Sequence, residues 1–124
     1  MPRIAIIDDD PDIVEATSIL LVSRGYSVVT ASNVEDGRLL VEKERPDLII
    51  LDVMMDEPDD GFYLANKLRK NGIDTPIVLL TSVSKATGLN FSDSDTLPVQ
   101  GFLEKPVKPA LLIETIEKHL KGGN

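Results

Sequence analysis

Apolar residues in this chain gather into five short runs, Arg3–Ile7, Ser27–Ala31, Leu48–Leu51, Ile77–Leu80 and Gly101–Leu103, separated by stretches of helical period or loop composition. The first run predicts a strand over about 3–8 that is apolar at nearly every position, as a strand covered on both faces must be. A helix over about 11–24 follows. Asp10 is placed to cap it, Pro11 opens its first turn, Gly25 stops it, and Ile13, Val14, Thr17, Leu20 and Leu21 form its inner stripe. After a short strand over 27–31, Ser32 and Glu35 have capping-box spacing before a helix over 34–44, which Pro46 ends. Residues 47–52 form a third strand, 60–70 a helix closed by Asn71-Gly72, and 76–81 a fourth strand. The last helix runs over about 108–120, with Leu112, Ile113, Ile116 and Leu120 on one face and His119 in solvent. Residues 83–99 break the rhythm. Rich in Ser, Thr, Asp, Asn and Gly, they predict a mostly irregular connection anchored by Leu89, Phe91 and Leu97.

Strands alternating with helices imply an α/β fold: a doubly wound, five-stranded parallel sheet in the order 2-1-3-4-5. In such a sheet the carboxyl ends of all strands share one edge, where ligands bind. Four of the five runs end on or just before polar residues: Asp8, Asp9 and Asp10; Asp52; Thr81 and Ser82; Glu104 and Lys105. Residues scattered over a hundred positions would therefore meet at one rim.

Composition narrows what that rim can serve. The 124 residues suit a single domain spanning 1–124. Net charge is −8, from 21 acidic and 13 basic side chains, with no basic stripe. Nucleic acid and anionic lipid are thereby disfavoured as direct partners. Cysteine is absent, which excludes thiolate metal sites and disulfides. There is no stretch of membrane-spanning length and no leader pattern, so the expectation is a cytoplasmic protein, monomeric or weakly dimeric.

Carboxylates a few ångströms apart repel by roughly 4 kcal/mol per pair at an effective dielectric near 20. A cluster of Asp8, Asp9 and Asp52 would therefore keep a proton or hold a cation. An all-oxygen set suits Mg²⁺, which takes one or two protein carboxylates and keeps open positions for phosphate oxygens. A hydroxyl from Thr81 and an ammonium from Lys105 would complete a cage for a phosphoryl group, whose transfer requires mainly positioning and charge neutralisation. A carboxylate in that cage can act as nucleophile.

Here the residues match a family. Ile7-Asp8-Asp9-Asp10-Pro11, Leu51-Asp52-Val53-Met54-Met55, Leu80-Thr81-Ser82 and Glu104-Lys105-Pro106 resemble the receiver domains of two-component response regulators over essentially the full chain. Each piece alone is common; four in this order and spacing are specific. The resemblance implies a flavodoxin-like (CheY-like) sheet and a phosphoaccepting regulator rather than an enzyme; with no residues left for an output module, the expectation is a stand-alone regulator or, equally, an excised piece of a larger chain. Asp52 would accept a phosphoryl group from a histidine kinase or phosphotransfer protein. Asp9, Asp52 and the carbonyl of Met54 would ligate Mg²⁺ directly, Asp8 through water. Thr81 and Lys105 would bind phosphoryl oxygens, Lys105-Pro106 would be a cis peptide, and Thr81 and Phe102 would form the switch toward an unidentified protein target. Asp10 caps a helix.

Two departures from the family pattern stand out. Asp56 occupies the usual proline position, and the turn through Asp56-Glu57-Pro58-Asp59-Asp60-Gly61 is one residue longer. The segment 83–99 replaces or degrades the helix that receivers carry between their fourth and fifth strands. At the family's two water-controlling positions stand apolar Met54 and Val83, which implies slow self-dephosphorylation. Competing readings are a haloacid-dehalogenase-like phosphatase using Asp8 and Asp10, a flavodoxin-type FMN binder, and a pseudo-receiver that only docks a partner. The first lacks a second acidic motif after Lys105. The second would set three aspartates against the flavin phosphate.

Overall fold

The computed structural model describes residues 2–81 and 99–122, with the side chains of the last two left aside. Among them the order is β1 (Arg3–Ile7), α1 (Pro11–Ser23), β2 (Ser27–Ala31), α2 (Val34–Glu44), β3 (Leu48–Asp52), α3 (Asp60–Lys70), β4 (Ile77–Thr81), β5 (Gly101–Glu104) and α4 (Pro109–Gly122). All pairings are parallel, and the strand order is β2-β1-β3-β4-β5, as the pattern implies.

The central strands alternate between two cores. Ile4 and Ile6 of β1, Leu48 and Ile50 of β3, and Val78 and Leu80 of β4 face α1 and α4, where Leu21, Leu112, Ile113 and Ile116 meet them. Ala5 and Ile7, Ile49 and Leu51, and Ile77 and Leu79 face α2 and α3, against Val41, Leu64, Ala65 and Leu68. Period-two alternation with both faces covered is why these runs tolerate no polar residue until they reach the rim.

The caps account for the helix starts. Asp10 caps α1, its side chain accepting from the Asp12 amide at 3.0 Å, and Gly25 leaves the helix at φ +91°. The cap of α2 lies one residue later than the Ser32/Glu35 spacing suggested: Asn33 accepts from the Asp36 amide at 2.8 Å. The register is fixed by packing. Gly37 faces β1 so closely that a Cβ there would lie 2.9 Å from Ile7. Of the expected α1 stripe only Leu21 is fully buried; Ile13, Val14, Thr17 and Leu20 are half-buried. His119 is half-buried too, not solvated, with its Nε2 beside Gly101 at the start of β5. Burial, then Lys118, pulls its pKa below the usual histidine range. Except for Val99, which packs on the α2–α3 core, the 83–99 segment with Leu89, Phe91 and Leu97 lies outside the described residues.

Candidate functional site

The strand register brings the polar ends of the strands together. Ile7 pairs with Leu51, so Asp8 and Asp52 leave neighbouring strands at one level; Asp52 pairs with Leu80, one residue before Thr81, and Thr81 pairs with Glu104, one residue before Lys105. The Lys105 amide donates to the Thr81 carbonyl at 2.8 Å, which continues the ladder to the lysine itself. Its peptide bond to Pro106 is cis.

Asp8, Asp52 and Thr81 are the buried polar side chains among the described residues, while Asp9 is exposed at the mouth. One carboxylate oxygen from each of Asp8, Asp9 and Asp52 lies within 4.8 Å of the others. The Lys105 ammonium sits 3.0 Å from Asp8 Oδ2 and 3.2 Å from Asp52 Oδ1. The other Asp8 oxygen accepts from the Asp10 amide at 2.9 Å. Asp10 itself points away, into its cap.

These contacts leave Asp52 under opposing pressures. Burial raises its pKa first and the Asp8 charge adds to that; Lys105 opposes both, and the result lies at about 6. For Lys105 burial acts downward, yet the bonds and charges of Asp8 and Asp52 together win and hold its pKa above the ordinary lysine value. The rim is thus a set of carboxylates short of positive charge.

The donor set fits a small hard dication. Octahedral Mg²⁺ with oxygens at 2.0–2.1 Å has neighbouring ligands about 2.9 Å apart and opposite ones about 4.2 Å apart. Three carboxylate oxygens within 4.8 Å of one another are near enough to share one such ion, directly or through its bound water.

The turn after β3 is the close neighbour of this cluster. The Val53 amide donates to Leu80, and its carbonyl accepts from the Gly61 amide at 2.8 Å. A Cβ on Gly61 would lie 2.5 Å from the Asp52 carbonyl oxygen, so only glycine lets α3 start against the end of β3. Met54 is 43% exposed, beside buried Val53. Phe102 is half-buried on the α2–α3 side of the sheet, paired with Leu79. Ser82 and Val83 lie outside the described residues.

Comparison with known proteins decides the family: the model of the response regulator receiver domain matches residues 4–117. The chain belongs to that family. The receiver is 35% identical over 127 residues to the transcriptional regulatory protein AfsQ1 of Streptomyces coelicolor, a match that covers 99% of this chain and 53% of that protein. The receiver thus spans about half the length of this curated relative. Among solved structures, the BeF3-activated N-terminal receiver domain of Klebsiella pneumoniae RstA superposes with a TM-score of 0.83 at 29% identity, covering 95% of this chain and 97% of that one. The Francisella response regulator 1452 receiver domain shares the fold at a TM-score of 0.88 and 24% identity, with both chains fully covered. The family is a regulatory signalling domain. Among the described residues of the receiver, no helix is long and apolar enough to cross a membrane.

The expected residues Asp8, Asp9, Asp52, Thr81 and Lys105 all come to one rim. What the pattern did not reveal is the part played by Asp60 in the turn: its carboxylate accepts from the Glu57 amide at 2.9 Å. The signal was present as an aspartate three residues after Glu57 and just before an obligatory glycine.

Proposed function

We propose that Asp52 is the phosphoacceptor of this receiver and that the domain switches on phosphorylation to regulate a protein partner. The observation that carries the reading is the shared ammonium of Lys105, within 3.2 Å of both buried carboxylates, at a rim that gathers a third. In the reaction an Asp52 oxygen forms a bond to phosphorus as the bond from phosphorus to the donor breaks, and the leaving group keeps that electron pair. The donor class is a histidine kinase or phosphotransfer protein. Asp9, Asp52 and the Met54 carbonyl would hold Mg²⁺, with Asp8 acting through water. Bound there, Mg²⁺ would neutralise charge on the phosphoryl oxygens. Lys105 is placed to pair with one of those oxygens once Asp52 becomes an acyl phosphate, since its bond to the free carboxylate is then lost. Thr81 ends the adjacent strand, and its hydroxyl would bind another. Thr81 and Phe102 form the switch, driven by charge-assisted contacts that exist only in the phosphorylated state.

The reading covers 1–124 as one receiver domain in the cytoplasm, monomeric or weakly dimeric, without direct contact to nucleic acid or membrane. Its only chemistry is self-phosphorylation and slow self-dephosphorylation. A phosphatase of the haloacid-dehalogenase type would need Asp10 beside Asp8 at the reacting centre, but Asp10 is engaged as the α1 cap. Acetyl phosphate with Mg²⁺ should add one phosphoryl group to the wild type by mass spectrometry and none to Asp52→Asn. Labelling that survives Asp52→Asn but is lost in Asp8→Asn would refute the assignment.

A further inference from the structure

We propose that the Asp60 carboxylate is a positioning residue for the cation site, clasping the turn that carries the Met54 carbonyl into a single conformation. The proposal rests on reading Asp8, Asp9 and Asp52 as a divalent-cation site.

The chain is pinned on both sides of Met54. Before it, Val53 is held by its amide to Leu80 at 2.9 Å and by the Gly61 amide to its carbonyl at 2.8 Å. After it, the Glu57 carbonyl accepts from the amides of both Met55 and Asp60, each at 3.3 Å. The Glu57 amide in turn donates to Asp60 Oδ2 at 2.9 Å. Of these bonds, the last is the one made by a side chain. The two long backbone contacts at Glu57 are weak by themselves, so the short carboxylate bond is what closes the turn.

Sequence explains why a clasp is needed. Proline would fix one backbone angle of this turn, but Asp56 stands there, and the turn is one residue longer than the family pattern. Asp60, the aspartate of the Asp-Gly pair that receivers carry before their third helix, restrains the turn from the first residue of α3, a rigid support. Glu57 contributes only backbone groups, and its side chain is exposed. Charge and clasp can therefore be separated. Asp60→Glu keeps the charge but moves the acceptor by one methylene, whereas Asp60→Asn loses the charge and keeps an acceptor oxygen. Glu57→Gln loses a nearby charge with the clasp intact.

Titration of the metal-free proteins with Mg²⁺ and with Ca²⁺ by calorimetry tests the idea. Asp60→Ala and Asp60→Glu should weaken Mg²⁺ about tenfold, the scale on which supports of metal ligands act. Ca²⁺ should lose less, because it tolerates irregular geometry. Asp60→Asn and Glu57→Gln should stay within about twofold of the wild type. In the metal-free state, Glu57 amide exchange should accelerate in Asp60→Ala and Asp60→Glu alone. Should Asp60→Ala not fold, Asp60→Glu carries the test. Wild-type Mg²⁺ affinity in Asp60→Glu, or equal losses in Asp60→Asn and Asp60→Glu, would overturn the clasp and leave the phosphoacceptor reading standing. A wild type that binds no Mg²⁺ would end both.

Discussion

Replacing Asp52 by asparagine should make the metal-free protein more stable, although it removes a residue that makes an ion pair. The folded state raises the Asp52 pKa from 3.8 to about 6, with burial as the larger cause and Asp8 as the second. At 1.36 kcal/mol per pH unit, that rise corresponds to a folding penalty of about 3 kcal/mol when the carboxylate is ionised. Water at the rim screens part of it, which leaves about 1–3 kcal/mol. A group whose pKa is raised on folding contributes its full stability below the unfolded value and loses it as pH climbs through the folded one. The destabilisation is therefore absent below pH 3.8, grows from there, and is complete above pH 7. Asparagine resembles the protonated acid at every pH. Urea unfolding in EDTA should show Asp52→Asn ahead by about 1–3 kcal/mol at pH 7.5, a rise in Tm of roughly 3–10 °C, and level with the wild type near pH 4. Adding Mg²⁺ at ten times its Kd should close the gap by about 1.4 kcal/mol, since only the wild type keeps the full ligand set. A variant no more stable than the wild type at pH 7.5, or an advantage independent of pH, would refute the argument.

Three other perturbations follow from the same geometry. Lys105→Met keeps the aliphatic stem but leaves Asp8 and Asp52 buried without their cation; it should cost about 3–5 kcal/mol at pH 8 and less at pH 5, where Asp52 takes a proton, as urea titrations at the two pH values would show. Gly61→Ala sets a methyl 2.5 Å from the Asp52 carbonyl and 2.6 Å from Val53 Cα, so it should cost about 1–3 kcal/mol in urea unfolding and weaken Mg²⁺ in calorimetry. Met54→Asn replaces a half-exposed apolar side chain beside the site with one that can orient water, and should shorten the phosphoryl lifetime severalfold in a ³²P chase; a longer lifetime would count against slow self-dephosphorylation by water exclusion.

Strand runs were legible because β1, β3 and β4 are covered on both faces, so any polar residue marks the point where the strand emerges. Asp8, Asp52 and Thr81 could be picked out for that reason: each is the first polar group after a fully buried run. The α2 cap was ambiguous, because Ser32 to Glu35 and Asn33 to Asp36 have identical spacing. Only the fit of Gly37 on Ile7, a contact between distant residues, selects between them. His119 was misread for a different reason. It follows Ile116 by three residues and Leu112 by seven, which is the buried face of α4, so period outweighs polarity there. The Asp60 bond to the turn leaves no mark in the sequence because its partner is a backbone amide, which no side-chain pattern records.

Stability and function should separate differently at the two ends of this site. Among the described residues the two apolar cores leave three polar groups buried at the rim, and one of them, Asp52, is held against its preferred protonation state. Sites that must bind charge commonly carry such local instability, supported by the rest of the fold. A substitution that relieves it, such as Asp52→Asn, should gain stability while losing phosphorylation. Gly61→Ala should lose both, because the close approach of α3 to β3 serves packing and the turn at once. Opposite signs at Asp52 with equal signs at Gly61 distinguish a strained reactive carboxylate from an ordinary buried ion pair, for which removing Asp52 would destabilise the fold as surely as removing Lys105.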